Sequence, residues 1–88
     1  MKKWEITYLR GVFEKLFYRQ KSLPARTEWL LMSALADGTI KGILKEMRDK
    51  PLPHTVYLYI SKFHFTIIFE IHYKKRELAI VDVKHGQV

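Results

Sequence analysis

An alternating stretch near the carboxyl end restricts the fold of this chain more than any other feature. Apolar residues take every second position of the stretch: Phe63, Phe65, Ile67, Phe69, Ile71 and Tyr73. The positions between them carry His64, Thr66, Glu70 and His72, with Ile68 as the one apolar exception. Side chains alternate across a strand, so the first set faces a core and the second faces water. The pattern predicts a strand over residues 63–72 in a sheet with one open face.

Two more strands flank this one in the sequence. Residues 55–60 alternate Val, Leu and Ile with Thr and Tyr, and Ser61-Lys62 forms a tight connection to the next strand. Residues 77–84 contain an apolar run, 78–81, which suits both faces of a central, covered strand. The charged segment 73–76 joins the last two strands as a hairpin turn. We expect a three-stranded antiparallel meander.

The amino-terminal half predicts one strand and two to three helices. Residues 3–8 alternate as a short strand, and helical spacing follows over 9–20. Pro24 starts a second helix that stops near Asp37-Gly38, and residues 40–48 form a third helical segment, ended by Pro51 and Pro53. We therefore expect a single α+β domain over residues 1–88, with the helices packed on one face of the sheet.

Composition narrows the class of function. The chain has no cysteine, which excludes disulfides and cysteine-type zinc sites and fits a cytoplasmic location. Sixteen Lys and Arg against nine Asp and Glu give a net charge of +7, which favours a polyanion or an acidic protein as partner. No apolar run has the length of a membrane span, and no nucleotide-binding or metal motif is present, so we expect no membrane, metal or small-molecule cofactor.

The carboxyl-terminal half resembles the RelE/ParE superfamily of toxin–antitoxin toxins. Two segments carry the resemblance: Lys62-Phe63-His64-Phe65-Thr66-Ile67-Ile68-Phe69-Glu70-Ile71 and Lys75-Arg76-Glu77-Leu78-Ala79-Ile80-Val81-Asp82-Val83-Lys84-His85-Gly86. The rest of the chain is similar in element order, length and charge. The resemblance implies a RelE-like fold and a basic toxin that cleaves mRNA at the ribosome and is neutralised by a cognate antitoxin.

The sequence departs from the family pattern at two arginine positions. In the third strand, where many members carry arginine, this chain has Thr66 or, with an alignment shift of one or two residues, Phe65 or His64. Gly86 follows His85 where the family often has a second arginine. His85 is the family residue that matches directly. The resemblance thus implies either a toxin with a rebuilt site or a shared fold without nuclease chemistry.

His64 and His85 are the candidate catalytic residues. In the mechanism that the resemblance implies, the RNA's own 2′-hydroxyl is the nucleophile, and histidine suits the acid and base roles because its pKa lies near neutrality. His72 is eight residues beyond His64, about 26 Å along a strand, so the two cannot act together. His54 follows a proline and has a structural role in this interpretation.

Candidate nucleic-acid-binding residues are of two types. Lysine and arginine suit phosphate, and tyrosine can stack on a base. The candidates are Lys62, Lys84, Tyr57, Tyr59, Arg48 and Lys50.

Three functions remain open from the sequence. The first is the RNA-targeting toxin. The second is a non-catalytic nucleic-acid-binding module whose affinity falls steeply with salt. The third is a protein-interaction module that takes up a partner strand at a sheet edge, or a ParE-like inhibitor of a topoisomerase.

Overall fold

The computed structural model describes residues 3–50 and 53–88 and has the α+β fold that the sequence predicts. Strand β1 (Glu5–Tyr8) is followed by helices α1 (Val12–Arg19), α2 (Leu23–Ala36) and α3 (Lys41–Met47). Strands β2 (His54–Ile60), β3 (Phe65–His72) and β4 (Glu77–His85) complete the chain, with a single 3₁₀ turn, Ser61–Phe63, between β2 and β3. Pro51, expected to help end the third helix, lies outside the described residues.

In the part of the chain that the structure describes, the sheet has four strands and is mixed, in the order β1-β4-β3-β2. Strand β3 pairs antiparallel with both β2 and β4, whereas β1 pairs parallel with the first half of β4, from Glu5 opposite Glu77 to Tyr8 opposite Ile80. The first strand is therefore part of the same sheet, and the apolar run of β4 is central, as its two-sided hydrophobicity indicated.

The core lies between the helices and one face of the sheet. Leu16 of α1, Leu31 of α2 and Ile40, which immediately precedes α3, are fully buried against side chains of the strands. The side chains of β3 and β4 that are buried in the same cluster are those of Phe65, Ile67, Phe69, Ile71, Leu78, Ile80 and Val83. The alternation that predicted β3 thus selects its buried face correctly.

The predicted strand over 63–72 is two residues too long at its start. Phe63 closes the 3₁₀ turn, and His64 adopts a left-handed backbone with φ 54° and ψ 46°. Tyr73 lies in the turn after β3. The end of the strand at His72 and the turn over 73–76 are as predicted. At the other end, alternation in the sequence begins before the backbone enters the sheet, so the pattern alone does not reveal where β3 starts.

No helix among residues 3–50 and 53–88 lies on the opposite face of the sheet, but that face is not uniformly open. Thr66, Ile68 and Ala79 lie on it and are buried, with 1%, 5% and 2% of their surface exposed. Carboxylates also stand on it: Thr7 Oγ1 donates to Glu77 Oε1 at 3.0 Å, and Glu70 pairs with His72. The positive charge of the chain is therefore not concentrated on this face.

Candidate functional site

The carboxyl end of β4 and the entry into β3 meet at one end of the sheet. Phe65 is paired with His85 in the antiparallel register. Beyond this pair, the backbone N–H of Gly86 donates to the carbonyl of His64 at 2.7 Å, and Thr66 Oγ1 donates to the Gly86 carbonyl at 2.7 Å. Two hydrogen bonds thus fix the position of both candidate histidines at the same end of the molecule.

His64 is directed towards the helix-free face. Its Nδ1 lies 3.2 Å from the hydroxyl of Tyr59, a tyrosine whose strand neighbours Leu58 and Ile60 pack on the core. Alternation along β2 therefore places Tyr59 on the helix-free face. Tyr59 is opposite Thr66, which is in turn opposite Lys84. This register gathers three of the predicted residues, His64, Tyr59 and Lys84, side by side.

His85 lies on the other side of the sheet, in a cleft against the helices. The cleft has a volume of about 200 Å³ and is lined by Arg19, Gln20, Leu23, Arg26, Phe63, Phe65, Val83 and His85. We call it the helix-side cleft. It combines an imidazole, two guanidinium groups and two phenyl rings in one concave surface, a combination that suits an aromatic anion such as a nucleotide.

The end of α1 holds Arg19 against the edge of β4. One guanidinium nitrogen of Arg19 donates to the carbonyl of Val83, and another lies 3.4 Å from Asp82 Oδ1. Lys15, one turn earlier, lies 3.3 Å from the other carboxylate oxygen of Asp82. Because β1 pairs only as far as Ile80, this part of β4 has a free edge, and α1 occupies it. The contacts orient Arg19 at the mouth of the cleft.

Asp82 is ionised under these contacts. Partial burial acts to raise its pKa, but the hydrogen bond from the Val83 N–H, with the Lys15 and Arg19 charges, outweighs burial and holds the pKa below its usual 3.8. A carboxylate that is ionised at neutral pH beside Arg19 keeps the guanidinium in place and neutralises part of its charge.

Arg26 and Lys62 stand over the ring of Phe63 at the opposite side of the cleft. The guanidinium carbon of Arg26 is 5.3 Å from the ring centroid, and Lys62 Nζ is 5.8 Å from it. The ring remains 37% exposed. Arg26 carries no ion pair among the described residues, so its donors are free for a ligand.

The structure thus brings the two candidate histidines close in backbone but places their side chains on different faces. Lys62 lies near the helix-side cleft, while Tyr57 is 57% exposed on β2, two residues before Tyr59. Arg48 and Lys50 follow α3, and Lys50 lines a cavity with His72, at the other end of β3. Phe65 and His72 are seven residues apart, or about 23 Å, so Lys50 does not join the histidines.

Sequence reasoning missed Arg19 and Arg26. The signal was present: one arginine ends the first helix and the other lies in the first turn of the second, on either side of the Ser22-Leu23-Pro24 break. A short connection between antiparallel helices brings their adjoining ends together. To predict that both arginines line this cleft, one must know that the α1–α2 connection lies beside the end of β4. No local sequence pattern provides that information.

The described residues contain no group of three or more His, Asp or Glu side chains placed to hold a metal ion. None of the helices in residues 3–50 and 53–88 is both long and apolar enough to cross a membrane. No protein-family model, curated protein or solved structure matches this chain significantly. The site is therefore interpreted from its own geometry, and the family resemblance remains a prediction.

Proposed function

We propose that the chain is the toxin component of a toxin–antitoxin system, related to the RelE/ParE superfamily, and that it cleaves RNA at the helix-side cleft. The element order and the resemblance of residues 62–71 and 75–86 support the class of protein. The observation that carries the proposal is the cleft itself, where His85, Arg19 and Arg26 converge with the exposed ring of Phe63.

The cleft offers side chains that suit cleavage of RNA by attack of its own 2′-hydroxyl. In that reaction the 2′-hydroxyl attacks the adjacent phosphorus, its proton passes to a base, and the 5′-oxygen departs with a proton from an acid, leaving a 2′,3′-cyclic phosphate. His85 supplies the imidazole that takes the proton of the 2′-hydroxyl, a water molecule protonates the departing 5′-oxygen, and Arg26, helped by Arg19, supplies positive charge for the phosphate oxygens. Phe63 provides an apolar ring on which a base can stack.

His64 and Tyr59 form a second polar group on the helix-free face. Their hydrogen bond fixes the ring through Nδ1, and Nε2 remains at the surface, since His64 is exposed. Lys84 stands in the same row of the sheet. In this proposal the group contacts RNA that passes around the sheet end, and proton transfer belongs to His85.

Cleavage of a labelled single-stranded RNA, with and without ribosomes, tests the proposal. We expect a 2′,3′-cyclic phosphate product, no product when the 2′-hydroxyl at the cleavage position is replaced by hydrogen, and a loss of about 10²–10⁴-fold in rate for His85→Ala. Arg26→Ala should lose about 10²-fold or more. His54→Ala, at the far end of β2, is the matched control and should cleave as wild type.

Two results would overturn the nuclease proposal. One is intact RNA in all conditions together with normal growth of bacteria that express soluble protein. The other is cleavage that His85→Ala does not diminish. RNA binding without cleavage would instead support the nucleic-acid-binding module.

An exposed aromatic group on α1 supports the antitoxin part of the proposal. Phe13 and Phe17 stack with centroids 6.0 Å apart, and Tyr18 packs edge-on against Phe17 at 6.4 Å. Their exposures are 43%, 39% and 86%, high for large apolar side chains. Arg10 and Lys21 lie just before and just after α1 in the sequence. An amphipathic antitoxin segment whose apolar side covers these rings, and whose acidic residues reach the basic residues at the two ends of α1, fits this surface.

The antitoxin contact can be tested with the reading frame next to the gene. We expect it to encode a small acidic protein that co-purifies with this chain and suppresses its toxicity. Phe17→Glu should abolish co-purification while leaving RNA cleavage intact, and the exposed Met32→Glu on α2 serves as a control for added charge. Unchanged co-purification of Phe17→Glu would exclude this surface.

A further inference from the structure

A second basic cleft lies at the other end of the sheet, beyond the end of α3. It has a volume of about 170 Å³ and lies between the segment after α3 and the turn that joins β3 to β4. Lys50, Lys74 and Lys75 line it, together with Met47, His72 and Tyr73. We call it the hairpin-end cleft. It is separated from the helix-side cleft by the length of β3, about 23 Å.

Three lysines around one cleft repel each other. No carboxylate lines the cleft, and none of the three lysines takes part in an ion pair among the described residues. The Glu70 carboxylate lies 3.0 Å from His72 Nε2, and this contact fixes the imidazole at the wall of the cleft. Like charges that line one cleft cost free energy, and a bound anion offsets that cost.

The turn that presents Lys74 and Lys75 has a strained backbone. Arg76 adopts φ 55°, a left-handed conformation that is unfavourable for a residue with a Cβ. Its guanidinium stacks on Tyr73 at 4.5 Å and on Trp4 at 5.5 Å, which holds the conformation. An observed backbone outlier kept in place by its surroundings is typical of a functional segment.

We propose that the hairpin-end cleft binds the phosphodiester backbone of RNA, as a second anchor apart from the helix-side cleft. Lysines act as compact point charges without the two-pronged geometry of arginine, which suits a sequence-independent contact with phosphate. The inference rests on the proposal that RNA is the target. It adds that the bound RNA extends from the helix-side cleft towards the β3–β4 turn. The hairpin-end cleft then contributes to the affinity for RNA and not to the chemistry of cleavage.

Binding of a fluorescent single-stranded RNA, followed by anisotropy at several salt concentrations, tests the anchor. All proteins carry His85→Ala, so that cleavage does not interfere. Lys74→Gln combined with Lys75→Gln should weaken binding and reduce the salt slope by about 1.4, the value for two lost contacts with a single strand. Adding Lys50→Gln should reduce it further.

A control variant removes two positive charges outside the hairpin-end cleft. Lys41→Gln combined with Lys45→Gln alters two exposed lysines of α3 that line neither basic cleft, and its salt slope should change by less than half as much. Equal losses in the two double variants would mean a general effect of net charge and would overturn the anchor. So would an unchanged slope in Lys74→Gln/Lys75→Gln.

Two further measurements separate the possible ligands and outcomes. Titration with inorganic tripolyphosphate should give binding at least tenfold weaker than RNA, and equal affinity would overturn the assignment to an RNA backbone in favour of a free polyphosphate. Cleavage in the His85-containing double variant should fall at low RNA concentration and recover at saturating RNA. If the wild type does not cleave RNA but Lys74→Gln/Lys75→Gln still weakens RNA binding, the proposed nuclease activity is refuted and the RNA anchor stands.

Discussion

The backbone N–H of Gly86 donates a 2.7 Å hydrogen bond to the carbonyl of His64. This bond extends the β3–β4 pairing beyond its last registered pair, Phe65 with His85. Both partners have left-handed backbones, with φ 82° at Gly86 and 54° at His64. The two candidate histidines are thus positioned by an irregular end of the sheet, and glycine is the residue that adopts such a conformation at least cost.

Gly86→Ala should destabilise the protein by about 1 kcal/mol, because a Cβ makes the left-handed conformation unfavourable. No atom lies within 4 Å of the added Cβ, so the cost is conformational and not a clash. Gly42→Ala is the control: it also meets no atom within 4 Å, but it lies in α3 with an ordinary helical φ, and should stabilise by about 0.4–1 kcal/mol. Urea unfolding measures both. If both substitutions changed the free energy of unfolding in the same direction, the prediction would be wrong.

Tyr8→Phe should destabilise the protein by about 1–3 kcal/mol. The Tyr8 hydroxyl hydrogen-bonds to the Glu28 carboxylate and lies 3.3 Å from the Pro24 carbonyl, which attaches β1 to α2. Removal of the hydroxyl leaves a half-buried carboxylate without this donor. Glu28→Gln, which retains an acceptor, should cost less in the same unfolding measurement, and a larger cost for Glu28→Gln would refute the role of the bond.

Tyr8 should also resist ionisation in alkali. Burial, with the hydrogen bond and negative charge of Glu28, raises its pKa well above 10.0. The unfolded chain releases this proton near pH 10, so stability falls as the pH rises above about 10. Tyrosinate absorbance of the folded protein should show one of its five tyrosines un-ionised until unfolding, and Tyr8→Phe should remove that late step. Complete ionisation before unfolding would contradict this.

Much of the fold could be predicted from period and breaker residues, because these act locally. Clear examples are the buried side chains of β3 and the start of α2, at Leu23, one residue before the proline that predicted it. The parallel pairing of β1 with β4 depends on residues 5 and 77, which are far apart in the sequence, and no local pattern encodes it. The sequence therefore predicted a separate first strand and a three-stranded antiparallel meander, whereas the structure joins all four strands in one mixed sheet.

The candidate site was only partly predictable for the same reason. His64 and His85 stood out because histidine is uncommon and titrates near neutrality. Which face each ring takes depends on the left-handed backbone of His64 and on an irregularity in register between Ile68 and Phe69. Each such irregularity shifts a side chain relative to simple alternation. Arg19 enters the site only because α1 covers the free edge of β4.

Asp82 should make stability depend on pH in the acid range. Its folded pKa is lower than its unfolded one, so its contribution is complete above the unfolded pKa of about 4 and is lost as the pH falls through the folded value. Asp82→Asn should therefore be less stable than wild type at pH 7, and the difference should shrink between pH 5 and pH 2. Thermal unfolding across that range measures it, and a difference independent of pH would exclude the ion pairs with Lys15 and Arg19 as its cause.

Leu16 and Tyr18 provide a paired test of how α1 lies on the sheet. Leu16 is fully buried in the core, whereas Tyr18, two residues later on the opposite side of the helix, is 86% exposed. Leu16→Ala should cost about 2–5 kcal/mol, since it leaves a cavity among packed side chains. Tyr18→Ser should stay within about 0.5 kcal/mol of wild type, as for other surface positions. Urea unfolding of the two variants gives both values, and comparable losses would mean that α1 packs through a different face than the one that leaves Phe13, Phe17 and Tyr18 exposed.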